Sequence, residues 1–423
     1  MTKRERMSQL AMTDTSGDLT AYRARENVLT QVQQALVASD RWDDFTANLE
    51  ARGLPEARIR QIVDCPVAMD LHLHSTHSDG QVPAHKLAWL ARVIGLRTIA
   101  LTDHDSVAGC RALYSEAMLL GLAVMPGVEL STGQSGLEIL VYFPDAGRFF
   151  DFLTSPRGVK FAKYLESKQQ HVHEMTLAVL SSVNRWLKRQ GVPAEKNITV
   201  QELDDWFGGQ KPYYPGTLAV LGLKRLGDDQ RAQLALRDPR AFNTKVVTPA
   251  MKRAGEDSGD SAASTLAQAT EDVRKQLTAL RRSGAGAVAI LSHPKELVTK
   301  GKMSIGQVAQ TIEYLAAKAG LDGVEVGCSR DTAADVRVWQ EILADLNARI
   351  AAKSLAAPGP LMAACYASDF HVLAPGRATG EITLGFGMLD ERPDHRRGNL
   401  RPLIAPEELL EAMRHRAIVR EQG

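Results

Sequence analysis

The chain has 423 residues, 44% hydrophobic and 24% charged, and its 51 Lys and Arg nearly cancel its 50 Asp and Glu. That balance excludes a global basic field of the kind that holds nucleic acid or an anionic membrane, while leaving room for a local basic site. Cys65, Cys110, Cys328 and Cys365 stand far apart with no Cys-x-x-Cys pair, which argues for reduced thiols in a cytoplasmic protein rather than a disulfide framework or zinc knuckle.

The N-terminus carries no apolar core of signal-peptide length, and no window reaches the roughly 18 apolar residues of a membrane span. Residues 1–66 read as a helical extension: Val28, Val32 and Leu36 recur at helical spacing, followed by Trp42, Phe45 and Leu49. It either covers part of the main domain or mediates self-association. From Val67 strands and helices alternate. Val67–His74 reads as a strand and Pro83–Ile94 as a helix with proline in its first turn. Arg97–Thr102 is the next strand, Ser106–Leu120 a helix capped by Ser106, Leu122–Leu130 a third strand and Leu137–Phe143 a fourth. The alternation then stops for a helical insertion over 150–250, with a long helix at Gly158–Gln190, a Gly/Pro/Tyr turn at Gly208–Gly216 and a helical run at Thr217–Leu226. A polar patch, Ala254–Ser264, reads as a mobile loop. The alternation resumes through Thr265–Arg282, Ala287–Ser292, Ile305–Ala319, Gly323–Val326, Thr332–Leu346 and Met362–Asp369. About seven strands, most followed by a helix, predict an α/β barrel split into 67–149 and 251–423, the latter ending in a C-terminal helix.

The polar residues of this pattern gather at strand ends. His72 and His74 are two apart on the first strand, so both imidazoles face one side, and a polar turn bearing Asp79 follows. Downstream come Thr-Asp-His-Asp at 102–105, Gly-Val-Glu at 127–129, Ser-His-Pro at 292–294 and Ser-Asp-Phe-His at 368–371. Five strand ends offering His, Asp or Glu point to a multinuclear metal site.

This ordered set resembles the PHP (polymerase and histidinol phosphatase) family of metal-dependent phosphoesterases, over roughly 67–145 and 285–390. Within it, the chain is similar to the stand-alone branch that hydrolyses nucleotide 3′-phosphates or trims RNA ends. The resemblance implies a distorted seven-stranded (β/α) barrel and two to three divalent ions, Mn, Fe or Zn. It implies His72, His74, Glu129 and Asp369 on one ion, Glu129 bridging to a second held by His293, and Asp79, His104 and His371 on a third. The implied reaction is hydrolysis of a phosphomonoester or terminal phosphodiester by metal-activated water, with His104, His371 or His77 protonating the leaving group. The implied substrate is a small phosphorylated molecule or a short nucleic-acid end; no membrane and no stable protein partner are expected.

Two departures from the family pattern stand out. The family carries Glu-Ile-His on its fourth strand, the histidine serving the second ion, whereas here Leu140 follows Glu138-Ile139. That leaves the second site weak, water-completed or empty, or served by Glu138, which shares a face with Leu140 one pleat further back. In the insertion, Lys211-Pro212-Tyr213-Tyr214 stands where relatives carry an Arg-Pro-His type motif. Tyr213 and Tyr214 either stack on a base or pack the insertion onto the barrel. Arg330 and His77 are candidate substrate contacts, each against the alternative of an exposed, idle side chain. Asp70 is a candidate to orient His72, and Asp103 and Asp105 to support His104.

Other signals carry less. His171-Val172-His173-Glu174 lies in a helical pattern, where i and i+2 diverge, and reads as a solvated surface. Gly284-Ala285-Gly286 precedes a strand, the wrong order for a dinucleotide loop. The Arg-rich run 390–401 reads as a solvated loop. Two rival functions use the same residues: an amidohydrolase-like enzyme cleaving a non-phosphate bond, and a catalytically silent metal-binding module.

Overall fold

The computed structural model describes residues 15–63, 69–131, 137–207, 209, 212–236, 239–257, 266–299, 303–328, 331, 333–357, 359–364, 367–371 and 406–422. The strands are β1 (Met69–Leu73), β2 (Thr98–Leu101), β3 (Ala123–Ser131), β4 (Glu138–Tyr142), β5 (Val288–Leu291), β6 (Gly323–Glu325) and β7 (Met362–Ala364). They form one sheet in chain order. Pairing is parallel from β1 to β3 and from β5 to β7, but β4 runs antiparallel to both β3 and β5. The sheet curls until the chain beyond β7 meets β1. There Leu73 bridges Phe370, and the His74 amide donates to the Phe370 carbonyl at 2.9 Å.

The result is a mixed α/β fold around a curled sheet, and it departs from a strict β/α repeat. Only residues 132–137 separate β3 from β4, too few for a crossover helix, so β4 must return antiparallel. Within the expected last strand, Met362–Asp369, Met362–Ala364 pair regularly, Ala367 makes a single bridge, as does Phe370 just beyond, and residues 365–366 lie outside the described residues. The helix expected from Ser106 starts at Cys110. The Ser106 hydroxyl accepts from the Ala108 amide instead, so residues 102–109 stay free to enter the site.

The strands are buried on both faces, as covered sheets require. Residues at period two, Met69 and Leu71, Leu140 and Tyr142, Val288 and Ile290, meet inside, with Leu409 and Met413 of the helix Pro406–Gln422. The Tyr142 hydroxyl satisfies itself on the Leu71 carbonyl at 2.8 Å. The other face, with Ile99, Val128, Ile139, Ala289 and Val324, packs on the surrounding helices.

The N-terminal helices Thr15–Val37, Trp42–Ala51 and Glu56–Val63 share that outer core. Phe45 stacks on Trp89 of the helix Ala84–Ile94 with centroids 5.6 Å apart, and the Lys86 ammonium donates to the carbonyls of Leu36 and Ser39. This favours the covering role for the extension.

The inserted segment begins with a 34-residue helix, Pro156–Arg189, capped where the Ser155 hydroxyl accepts from the Gly158 amide. It builds a separate apolar cluster from Val179, Val183, Leu203, Leu218, Phe242 and Val247. Of the expected loop Ala254–Ser264, residues 254–257 complete the helix Thr248–Asp257, and 258–264 lie outside the described residues. No helix of the described residues is long and apolar enough to cross a membrane.

Phe45→Ala removes a fully buried ring from the seam between the extension and the helix Ala84–Ile94. We expect a loss of roughly 3–5 kcal/mol in denaturant unfolding. A loss under about 1 kcal/mol would mean that the extension does not contribute to the core.

Candidate metal centre

The end of β1 delivers the first residues. His72 and His74 share a face, both fully buried, and the chain then turns through 75–80. That turn is pinned by Asp103, whose carboxylate accepts from the Ser75 amide (2.6 Å), the Ser75 hydroxyl (2.7 Å) and the Ser78 hydroxyl (2.6 Å). Gly80 closes it because a Cβ there would lie 2.4 Å from the His74 carbonyl. The turn thereby sets Asp79 opposite His371 and His104.

Glu129 of β3 is the hub. Its Oε2 lies 3.0 Å from His72 Nε2, 3.2 Å from His74 Nε2 and 3.3 Å from His104 Nδ1, and its Oε1 lies 3.2 Å from His293 Nε2. Asp369 Oδ1 stands 3.4 Å from His72 Nε2 and 3.3 Å from His74 Nε2. Nearer the surface, Asp79 lies 3.2 Å from His371 Nε2 and 3.8 Å from His104 Nε2.

Three groups of side chains therefore present ligand atoms within 4.8 Å of one another: His72, His74, Glu129 and Asp369; His74, Asp79, His104 and His371; and Glu129, Glu138 and His293. The eight residues expected as ligands all fall in these groups, and Glu138 joins them.

The chemistry of the donors fits divalent cations. His74 Nε2 and His104 Nδ1 are buried within ion-pair reach of Glu129 yet make no hydrogen bond. His371 Nδ1 sits 2.8 Å from the Asp369 carbonyl, which can only accept, so in the neutral imidazole the lone pair belongs to Nε2, which faces Asp79. A lone pair facing a carboxylate calls for a proton or a cation between them.

Charge within the cluster is also balanced among the side chains themselves. Burial disfavours His72 protonation, but Glu129 and Glu325 outweigh it and raise its pKa well above the ordinary imidazole value. His74 is pushed the other way, to about 3, by burial and then by His371 and His104. Burial raises the Glu129 carboxyl, but His72 and His104 overcome it and hold it well below the usual range. A buried carboxylate among imidazoles thus keeps its charge.

The backbone is strained here. Asp105 (φ 48°), His293 (φ 22°) and Asp369 (φ 56°) occupy positive φ without being glycine. Such conformations cost of order 1–3 kcal/mol each and persist where the surroundings fix them.

Glu325, at the end of β6, was not anticipated. Its Oε1 lies 3.1 Å from His72 Nδ1, and its Oε2 accepts the His293 amide at 2.7 Å. One buried carboxylate therefore orients the His72 ring and fixes the backbone that carries His293. Its signal was the Gly-Val-Glu ending of a predicted strand, the same tripeptide that marks Glu129. Asp70 accepts from the His72 amide at 3.4 Å and from the Ser368 amide at 2.9 Å, which ties the strand to the last segment. Asp105 likewise serves the backbone, accepting from the Ser131 amide and pairing with Lys168 at 2.9 Å.

The helix Pro156–Arg189 lies over the mouth. Gln169 donates to the carbonyls of His77 (2.9 Å) and His104 (3.2 Å), and the Tyr214 hydroxyl donates to the His104 carbonyl at 3.1 Å. Tyr214 thus docks the insertion on the site. Tyr213 is packed within the insertion instead, its hydroxyl on Asp204 and its ring 4.4 Å from that of His173. His173 is buried, not solvated: its Nδ1 accepts the Tyr213 amide. His77 joins none of the three groups, and its ring edge lies against Gly109. Arg330 and the run 390–401 lie outside the described residues.

The fold and site define a class, mixed α/β proteins whose sheet ends converge imidazoles and carboxylates into sites for divalent ions. The family model described as "PHP domain" matches residues 70–210. It is similar to the 5′-3′ exoribonuclease of Haemophilus influenzae, 40% identical over 70 residues, which are 16% of this chain and 26% of that one. It is also similar to the phosphoribosyl 1,2-cyclic phosphate 1,2-diphosphodiesterase of Eggerthella lenta, 39% identical over 62 residues, 15% of this chain and 24% of the relative. The chain thus matches about a quarter of the length of these curated relatives. Among solved structures, an amidohydrolase of Chromobacterium violaceum with bound sulfate and no metal aligns at 21% identity and a TM-score of 0.49, over 82% of this chain and 97% of that one.

Glu325→Gln tests the orienting carboxylate. The change should weaken divalent-ion affinity by about 10–100-fold in competition with a chelating dye, the range for partners behind a metal ligand. Unchanged affinity would remove Glu325 from the centre.

Proposed function

We propose that the chain is a divalent-metal-dependent phosphoesterase that hydrolyses a phosphomonoester or a terminal phosphodiester of a nucleotide or RNA end. The observation that carries this is the sharing of Glu129: one buried carboxylate faces four imidazoles from three segments, and its two oxygens point to different groups. In this reading the curled sheet is the distorted (β/α) barrel of the PHP family. His72, His74, Glu129 and Asp369 hold one ion, Asp79, His104 and His371 another, and Glu129 with His293 contributes to a third. Ions so held supply activation of water near neutral pH and neutralisation of charge on a phosphoryl group.

The chain's own residues supply the rest. The floor of the site, His72, His74 and Glu129, is closed to solvent, whereas His104, Asp79 and His371 are 15%, 25% and 28% exposed. A phosphate therefore approaches from the side of Asp79, His104 and His371. The Gln169 and Tyr214 bonds to the His104 carbonyl hold that mouth beneath the insertion and limit what can enter it. His77, outside the three groups, is the imidazole free to protonate a leaving oxygen, with His104 and His371 engaged as ligands. Arg330 is proposed as a phosphate contact on its sequence position alone.

The test uses protein stripped with EDTA and reloaded with Mn²⁺, assayed on p-nitrophenyl phosphate, adenosine 3′,5′-bisphosphate and short 5′-phosphorylated RNA. We expect cleavage of at least one, loss with EDTA, and a fall of roughly a hundredfold or more in His72→Ala, beyond the effect of losing an orienting partner. Cleavage that ignores both EDTA and His72→Ala would overturn the proposal.

A further inference from the structure

We infer that Glu138 is a metal ligand of this chain, completing with Glu129 and His293 an oxygen-rich middle site that the sequence pattern leaves without its expected side chain. The inference rests on the metal-dependent reading above and concerns which residue fills the third group.

The direction of β4 decides the matter. In a parallel strand, stepping back in sequence from Leu140 moves away from the strand ends where the ligands lie. Because β4 is antiparallel to β3 and β5, the same step moves toward them. Leu140 pairs with Glu129 and points into the apolar interior with Met69, Leu71 and Ile290. Glu138 pairs with Ser131, one pleat nearer the mouth.

Glu138 is held there by its backbone. Its carbonyl accepts from the Ser292 amide at 3.1 Å and from the Ser292 hydroxyl at 2.8 Å, so the residue preceding His293 is tied to Glu138 itself. The two side chains then converge. Glu138 Oε2 lies 3.5 Å from His293 Nε2, and Glu129 Oε1 lies 3.2 Å from the same nitrogen. One imidazole nitrogen can satisfy only one carboxylate, yet two converge on it. Glu138 reaches no Lys or Arg within ion-pair distance among the described residues. Two carboxylates brought together without a fixed cation repel, and an ion between them removes that cost.

Charge and donor type set the preference. Two carboxylates and one imidazole form a harder, more anionic site than two imidazoles and one carboxylate. It suits Mn²⁺ relative to Zn²⁺ better than the imidazole-rich groups around it.

The experiment counts ions in the full chain. Protein reconstituted with Mn²⁺ and desalted is measured by plasma mass spectrometry, with bound Mn²⁺ followed by electron paramagnetic resonance. The variants are Glu138→Gln, Glu138→His and Glu296→Gln. The last removes a charge 4.0 Å from His293 Nδ1 outside the three groups. We expect about three ions in the parent, one per group, and one fewer in Glu138→Gln. Glu138→His should restore the count with preference moved toward Zn²⁺, and Glu296→Gln should match the parent. A full count in Glu138→Gln would overturn the inference, as would a parent already short of the third ion, and both leave the metal-dependent reading standing. A parent that retains no ion would overturn both. The substitution leaves the backbone bonds to Ser292 in place, so the variants report ligation and not misfolding.

Discussion

Everything at the head of the sheet is arranged around the carboxylate of Glu129. Burying an unpaired charge costs several kcal/mol, and no structure tolerates it without compensation. Here compensation comes from His72 and His74 of β1, His104 beyond β2 and His293 beyond β5, each within 3.3 Å of a Glu129 oxygen. That requirement fixes how the strand ends may be placed. It also explains why the chain accepts positive φ at Asp105, His293 and Asp369, since relaxing any of them would move a group away from the hub.

A second layer of carboxylates keeps the imidazoles in place. Glu325 spans His72 and the His293 backbone, Asp103 grips the turn that carries Asp79, and Asp70 ties β1 to the segment before Asp369. Below them the sheet interior turns wholly apolar and is closed by the helix Pro406–Gln422, so the polar chemistry faces one end only. The insertion bears on that end through Gln169 and Tyr214, and its own core is separate.

Much of this was legible in the residues. Helical spacing in Pro83–Ile94 and apolar runs such as Ile139–Phe143 mark elements whose burial is set by local pattern, and His-x-His on a strand marks a shared face. What periodicity cannot carry is direction. Leu137–Phe143 reads the same whether the strand runs up or down, and the reversal of β4 turns Glu138 from a retreating residue into one at the mouth. Nor does a tripeptide such as Gly-Val-Glu say whether its carboxylate meets a metal or an imidazole, which is why Glu325 went unseen. His173 reads as a solvated surface and Tyr213 as either a stacking group or one that packs the insertion onto the barrel, yet the two pack against each other within the insertion.

If Glu129 organises a cluster of divalent ions among these imidazoles, the ions must be visible beside it. Crystals grown with Mn²⁺, with anomalous scattering measured at the manganese edge, test it most directly. We expect anomalous peaks inside the groups formed by His72 to Asp369, with Glu129 lying between two of them. An ordered site with no anomalous density there, and His72, His74 and His104 still closed on Glu129 through protons alone, would contradict it.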